Sequence, residues 1–271
     1  MEILDCTIRD GGYLNNWKFE DQLVRELYQS VSKSGVDIIE VGFKSNKNAF
    51  KSKDVGPWRF TDELKLRQVI KGIQGITISV MGNFKEFDIR MIDQKEESLI
   101  DLIRIAVHKN QVEEALALIE DISSKGYKTS IQLMGYSTYS DAEQTKVVDL
   151  LEKTNVNYAY VADSYGSILP FQLSKLLKPL LEIPSLKVGF HPHNNLQMGF
   201  ANALEAINCG VDIIDGTIYG MGRGAGNLPI ESLISYLQIK GSEKYNVIPI
   251  LHLIDKFFVD LHEKYRWGHQ L

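Results

Sequence analysis

Apolar, strand-like runs alternate with amphipathic, helix-like segments about eight times along this 271-residue chain, and few architectures accommodate that rhythm. Strands are expected over residues 3–8, 36–43, 76–81, 102–107, 127–133, 156–162, 186–190 and 211–216. Helices are expected over 19–34, 62–72, 111–125, 141–154, 170–181, 196–208 and 229–238. Pro170 opens one helix, and Gly35, Gly126 and Gly210 follow three others, the usual punctuation of helix termini. The strands are rich in Ile, Val and Leu without clean alternation, as expected when both faces of a parallel sheet are covered. The pattern predicts an α/β fold, a (β/α)8 TIM barrel, as a single domain over 1–271, with an additional C-terminal helix over 248–265.

With 44% hydrophobic residues, the chain can fill one large core. Thirty basic side chains against 35 acidic ones give a formal charge of −5, which carries no signature of nucleic-acid binding. No apolar run approaches the ~18 residues of a membrane span, and the N-terminus lacks the basic and apolar regions of a secretory signal. Cys6 and Cys209 belong to no paired motif and read as free thiols, so a reducing, cytoplasmic setting is expected.

A barrel collects the C-terminal ends of its strands on one face, and the unusual polar residues fall at those ends. Arg9 and Asp10 are expected to end the first strand, with Glu40 and Lys44 at or after the second. Asp163 and Ser164 follow the sixth, His191 and His193 the seventh, and Asp215 the eighth. In His191-Pro192-His193 the two imidazoles are spaced i, i+2 and point to one side of an extended backbone. With Asp10 they make a carboxylate-plus-two-imidazole set that suits a divalent cation, with Mg²⁺, Mn²⁺ or Co²⁺ as plausible as Zn²⁺. A cation here favours enolate chemistry on an α-keto acid, and Arg9 adds a second positive charge at the same oxygen. Glu40 lies inside an apolar strand, where a carboxylate needs a partner; Arg9 is the natural one.

The segments 44–58 and 82–97 are long and charged, in the manner of active-site lids. The first carries Lys44, Lys47, Lys51 and Lys53, suited to an anionic substrate or simply to solvent, and Trp58 and Arg59 are candidate lid residues. A glycine-rich stretch from Asp215 to Asn227, with Gly222 and Gly224 among its glycines, permits close backbone approach to a ligand. It lacks the strand-to-helix spacing of a dinucleotide fingerprint.

These motifs together resemble the DRE-TIM metallolyases, and most closely their 4-hydroxy-2-oxovalerate aldolase branch. The segments carrying the likeness are Arg9-Asp10, Glu40, Ala162-Asp163-Ser164-Tyr165-Gly166, His191-Pro192-His193-Asn194-Asn195 and Gly220-Met221-Gly222-Arg223-Gly224-Ala225-Gly226-Asn227. The resemblance implies that Asp10, His191 and His193 bind the cation, with Asn227 near it or among its ligands. It implies that Arg9 stabilises the enolate, and that the reaction makes or breaks a C–C bond through a metal-bound, pyruvate-type enolate. Asp163, Ser164, Lys44, Gly222 and Gly224 are the expected substrate contacts. Tyr13 stands where the aldolases carry a histidine base; an ordinary phenol with a pKa of about 10 is a poor base at neutral pH.

The implied partners are a small 2-keto acid and an aldehyde, with no nucleic acid and no membrane. The aldolases' C-terminal extension is not seen, so no dehydrogenase partner is expected; the terminal helix either caps the barrel or forms a homodimer contact. The alternatives are a Claisen-type acyl-CoA condensing enzyme on the same scaffold, or a non-catalytic metal-binding barrel.

Overall fold

The eight strands pair in parallel and in chain order until the eighth meets the first and closes the barrel. The computed structural model describes residues 1–46, 54–73 and 75–269. Its strands are β1 Glu2–Asp5, β2 Ile38–Phe43, β3 Thr77–Asn83 and β4 Leu102–Val107. They continue with β5 Lys128–Met134, β6 Tyr158–Asp163, β7 Lys187–Pro192 and β8 Ile213–Gly216. Outside the ring lie α2 Asp21–Lys33, α3 Glu63–Val69, α4 Val112–Ser124 and α5 Asp141–Leu151, then α6 Pro170–Leu181, α7 Gly199–Cys209 and α8 Ile230–Ile239. The expected terminal helix is present as α9 Ile248–Leu253, which runs through a π-helical turn, Ile254–Phe258, into α10 Val259–Tyr265. It packs Ile250, Leu253 and Phe258 inward, and Lys256 pairs with Glu26 of α2 at 2.6 Å.

One expected boundary is wrong in a way that matters. The first strand stops at Asp5, and Thr7–Asn15 is a helix, α1. The cause is local: the Asp5 carboxylate accepts the Thr7 hydroxyl at 2.6 Å and its N–H at 3.3 Å. Such side-chain bonds to a neighbouring backbone group turn a chain out of a ladder. Arg9 and Asp10 therefore sit on α1, over the barrel mouth, and not on a strand end.

The two-residue period of the strands builds the barrel interior in layers. Leu4, Cys6, Ile38, Leu102, Tyr158, Tyr160 and Ile213 form an apolar cluster within the ring. Glu40, Arg104, Gln132 and Asp215 are buried two residues beyond Ile38, Leu102, Ser130 and Ile213 respectively. One further step along β4, β5 and β6 brings Ala106, Met134 and Ala162, which line a cavity at the mouth. On β7 the same phase runs Gly189, His191, then His193 just past the strand. Gly189 has to be glycine, since a Cβ there would lie 2.4 Å from the Tyr160 ring.

Trp58 and Arg59 are buried, at 1% and 2% exposure, so they are core and not lid. Arg59 lies over the Phe43 ring at 4.2 Å and pairs with Glu86. Lys47, Lys51 and Lys53 lie outside the described residues.

Candidate active site

The cavity at the C-terminal end of the barrel encloses about 290 Å³ and has Asp10, His191, His193 and Arg9 in its lining. Residues 183 positions apart meet here: His193 Nε2 lies 3.4 Å from Asp10 Oδ2, and His191 Nε2 lies 3.7 Å from the same oxygen. The two imidazole planes stand nearly perpendicular, with centroids 4.8 Å apart.

The outer nitrogens fix both tautomers. His193 Nδ1 is 2.9 Å from the Asp163 carbonyl oxygen, which can only accept, so the proton is on Nδ1. His191 Nδ1 is 2.9 Å from the Asp215 carboxylate in the same arrangement. In the neutral rings each Nε2 then turns a lone pair toward the Asp10 carboxylate. Two lone pairs and an anion converging on one point suit a cation between them, and an imidazole held by a carboxylate or carbonyl behind it is the usual metal-ligand arrangement. His191 Nε2 is buried with no hydrogen-bond partner, as a ligand atom for such a cation would be. Asp10, His191 and His193 thus fit the divalent metal that the sequence implies.

A second cluster, Cys6, His191 and Asp215, does not. Burial raises the Cys6 thiol well above its ordinary pKa, and Sγ–H donates to the Gly216 carbonyl oxygen. A metal would need the thiolate.

Beneath these three side chains lies a chain of buried charges. Arg9 Nε donates to Glu40 Oε2 at 2.6 Å, and Arg9 Nη1 lies 3.0 Å from Asp10 Oδ1. Arg104 Nη1 reaches the other Glu40 oxygen at 3.1 Å, while Nη2 bonds Asp215 at 2.5 Å and Gln132 at 3.0 Å. The Arg104 guanidinium rests on the Tyr160 ring, 4.3 Å from its centroid. Two guanidiniums thus face three carboxylates, with Asp10 at one end of the chain and Asp215 at the other. Burial favours a neutral Asp10, but Arg9 and the two imidazoles overcome it and hold the carboxyl well below the usual range. Burial likewise opposes ionised Asp215, and Arg104 with His191 outweighs it. For His191, burial favours the neutral ring, and Asp10 and Asp215 push its pKa upward from the ordinary value.

Asn227 holds Asp10 in place: its Nδ2 donates to Asp10 Oδ2 at 2.7 Å and to the Met221 carbonyl at 3.1 Å. A Cβ on Gly222 would lie 2.2 Å from that Nδ2, so the glycine makes room for the amide. Tyr13 lines the cavity from α1, packed edge-on to Trp17 and Phe43. Burial raises its phenol pKa, with Arg9 opposing. Ser164 lines the cavity and accepts the Gly135 N–H at 2.9 Å. Gly224 borders a recess beside the mouth, together with Ser164, His193, Asn195 and Arg223.

Three expected substrate contacts, Gly222 behind Asn227, Asp163 and Lys44, lie outside the lining of the cavity and the recess. The Asp163 carboxylate accepts the Ser167 and Ile168 N–H groups, so it shapes the turn after β6 while its carbonyl orients His193. Lys44 is turned away from the lining and donates to the Thr61 carbonyl oxygen at 3.2 Å. Arg104 and Gln132 were not foreseen. A cation inside Leu102-Ile103-Arg104-Ile105-Ala106-Val107 is the same signal that singled out Glu40.

The HMGL-like family profile matches residues 1–255. An oxaloacetate decarboxylase from Mycobacterium tuberculosis H37Rv is 33% identical over 239 residues, covering 88% of this chain and 70% of that protein. A 4-hydroxy-2-oxovalerate aldolase from Thermus thermophilus is 29% identical over 276 residues, covering 92% and 76%. Among solved structures, the N-terminal domain of a candidate aldolase from Bacteroides vulgatus superposes with a TM-score of 0.88 at 31% identity, over 100% of this chain and 90% of that one. By the match over residues 1–255 and the likeness to these relatives, the chain belongs to the HMGL-like family of metal-dependent carbon–carbon lyases.

Proposed function

We propose that this enzyme makes or breaks the C–C bond of a 2-keto acid through a pyruvate-type enolate, with Mn²⁺ or Mg²⁺ held by Asp10, His191 and His193. The supporting observation is the convergence of these three ligands with the Arg9 guanidinium in the lining of one small cavity. A bound divalent cation supplies Lewis acidity at the keto oxygen.

The chain's own groups do the rest. Nε and Nη1 of Arg9 are engaged by Glu40 and Asp10, which aims its remaining N–H groups at an oxyanion in the cavity. Glu40, itself clamped by Arg104, orients Arg9. Asn227, seated by Gly222, keeps Asp10 in register. Tyr13 is the proton carrier: its raised pKa keeps the phenol protonated at neutral pH, ready to give its proton to the enolate carbon after the C–C bond has broken. Ser164 offers its hydroxyl hydrogen at the cavity wall. An aldehyde is the second product in the aldol reading.

The protonated phenol favours a second reading, decarboxylation. Loss of CO₂ needs no base, only a proton donor afterwards. The discriminating assay compares aldehyde release from 4-hydroxy-2-oxopentanoate with CO₂ release from oxaloacetate. The common step is tested by deuterium exchange into the methyl group of pyruvate. Exchange is expected with Mn²⁺ and lost after chelation; full exchange by metal-stripped protein would remove the basis of the proposal.

A further inference from the structure

We infer that Arg223 is a specificity-determining residue, and that it selects 2-keto acids carrying a second carboxylate at the end remote from the keto group. The inference rests on the 2-keto acid reading above and names the substrate class.

Arg223 lines both the main cavity and the recess beside its mouth. Its guanidinium lies over the Tyr13 ring, 4.2 Å from the centroid. Among the described residues no carboxylate pairs with it. The charge inventory of the cavity is lopsided there. Among the described residues, Asp10 is the only carboxylate in the lining, and it is already shared by Arg9, Asn227 and the two imidazoles. A guanidinium stacked on an aromatic face, with its fork free, is suited to binding a planar oxyanion.

The backbone that carries Arg223 is fixed on both sides. Its carbonyl accepts the Gly226 N–H at 3.0 Å, and the Gly226 carbonyl accepts the Asn194 N–H at 2.9 Å. From the far side, Gly268 N–H donates to the Gly224 carbonyl at 3.1 Å, and Trp267 Nε1 donates to the Tyr219 carbonyl at 2.8 Å. The terminal segment therefore pins the glycine-rich loop. The side chain extends from an anchored base, which reduces the ordering cost of binding an anion. The lining of the same cavity includes Phe43, Met134 and Ala162, which suit the short carbon chain of such an acid.

The test is calorimetric binding to the Mn²⁺-loaded protein, using keto acids matched in length. The pairs are 2-oxoglutarate against 2-oxopentanoate, and 2-oxoadipate against 2-oxohexanoate. The wild-type protein is expected to bind the dianion of at least one pair about 100-fold more tightly than its neutral-tailed partner. Arg223→Met is expected to erase that preference while still binding the neutral-tailed acid, and Arg223→Lys to restore part of it. Equal affinity within both pairs, or a preference that survives in Arg223→Met, overturns the inference. If none of the four acids binds the wild-type protein, the 2-keto acid reading itself fails and this one falls with it.

Discussion

Glu40 and Arg104 meet inside the barrel with both side chains fully buried, Oε1 and Nη1 3.1 Å apart. The other Glu40 oxygen holds Arg9 Nε at 2.6 Å, so one carboxylate connects the barrel interior to the guanidinium that lines the cavity. Removing one member of such a network leaves its partners charged, buried and unmatched. Arg104→Met should therefore lower the unfolding free energy in urea by about 3–5 kcal/mol. A loss below about 1 kcal/mol would mean that the network is hydrated or rearranges freely.

The ligand assignment predicts a sharp contrast among neighbouring residues. Asp10→Asn and His193→Ala should each weaken Mn²⁺ binding about 100-fold or more, followed by the paramagnetic resonance of the free ion. Cys6→Ser should leave Mn²⁺ affinity intact, because the thiol belongs to the cluster that does not suit a cation. Loss of Mn²⁺ binding in Cys6→Ser would shift the site to Cys6, His191 and Asp215.

Gly222 is predicted to matter through Asn227 alone. In Gly222→Ala the new methyl displaces the amide that steadies Asp10. Mn²⁺ affinity should fall about tenfold, in the range seen when a group behind a metal ligand is lost. Native affinity in this variant would show that Asn227 does not position the ligand.

Tyr13→Phe should slow methyl exchange in pyruvate by about 100-fold, the usual worth of a placed proton carrier. Because burial raises the Tyr13 pKa above its ordinary value, the phenol form persists to higher pH than in a free tyrosine. Taking a proton from the methyl group needs the phenolate, so the Tyr13-dependent exchange rate should rise with pH from neutrality to at least pH 10. Unchanged exchange in the Phe variant would remove this residue from the chemistry.

Asp5 predicts the pH dependence of stability. Burial raises its carboxyl from 3.8 to about 7, although the Thr7 hydrogen bonds oppose the shift. Below about pH 4 both the folded and unfolded chains are protonated there, and Asp5 contributes no slope. Between about pH 4 and pH 7 the unfolded chain releases the proton while the native one keeps it, so stability falls as pH rises, by up to ~1.4 kcal/mol per unit. Above pH 7 this contribution levels off. Asp5→Asn should flatten the profile in urea titrations, and an unaltered slope would assign the proton uptake elsewhere.

Much of this molecule was legible from residue types and their spacing. β4 and α6 lie where the apolar run of 102–107 and the helix-opening Pro170 put them. The two histidines share a side because an extended backbone leaves them no other choice. What escaped was decided by tertiary context. An aspartate two residues before a threonine bends β1 into a helix, and only the folded chain shows that bond being made. Nothing local tells Lys44 to turn toward Thr61 instead of the cavity. Arg104 was open to the reasoning that found Glu40, since each is a charge inside an apolar strand; the two explain one another only once β2 and β4 are seen to face a shared interior.

The proposed ion-binding triad straddles the seam of the ring. Asp10 comes just after β1, the histidines from the end of β7 and just beyond it, and only β8 lies between. During synthesis, Asp10 emerges first and waits for 183 further residues before the second imidazole exists. Neither half of the polypeptide owns the complete cage, so a manganese signal acquired during refolding would act as a clock for the moment the circle shuts.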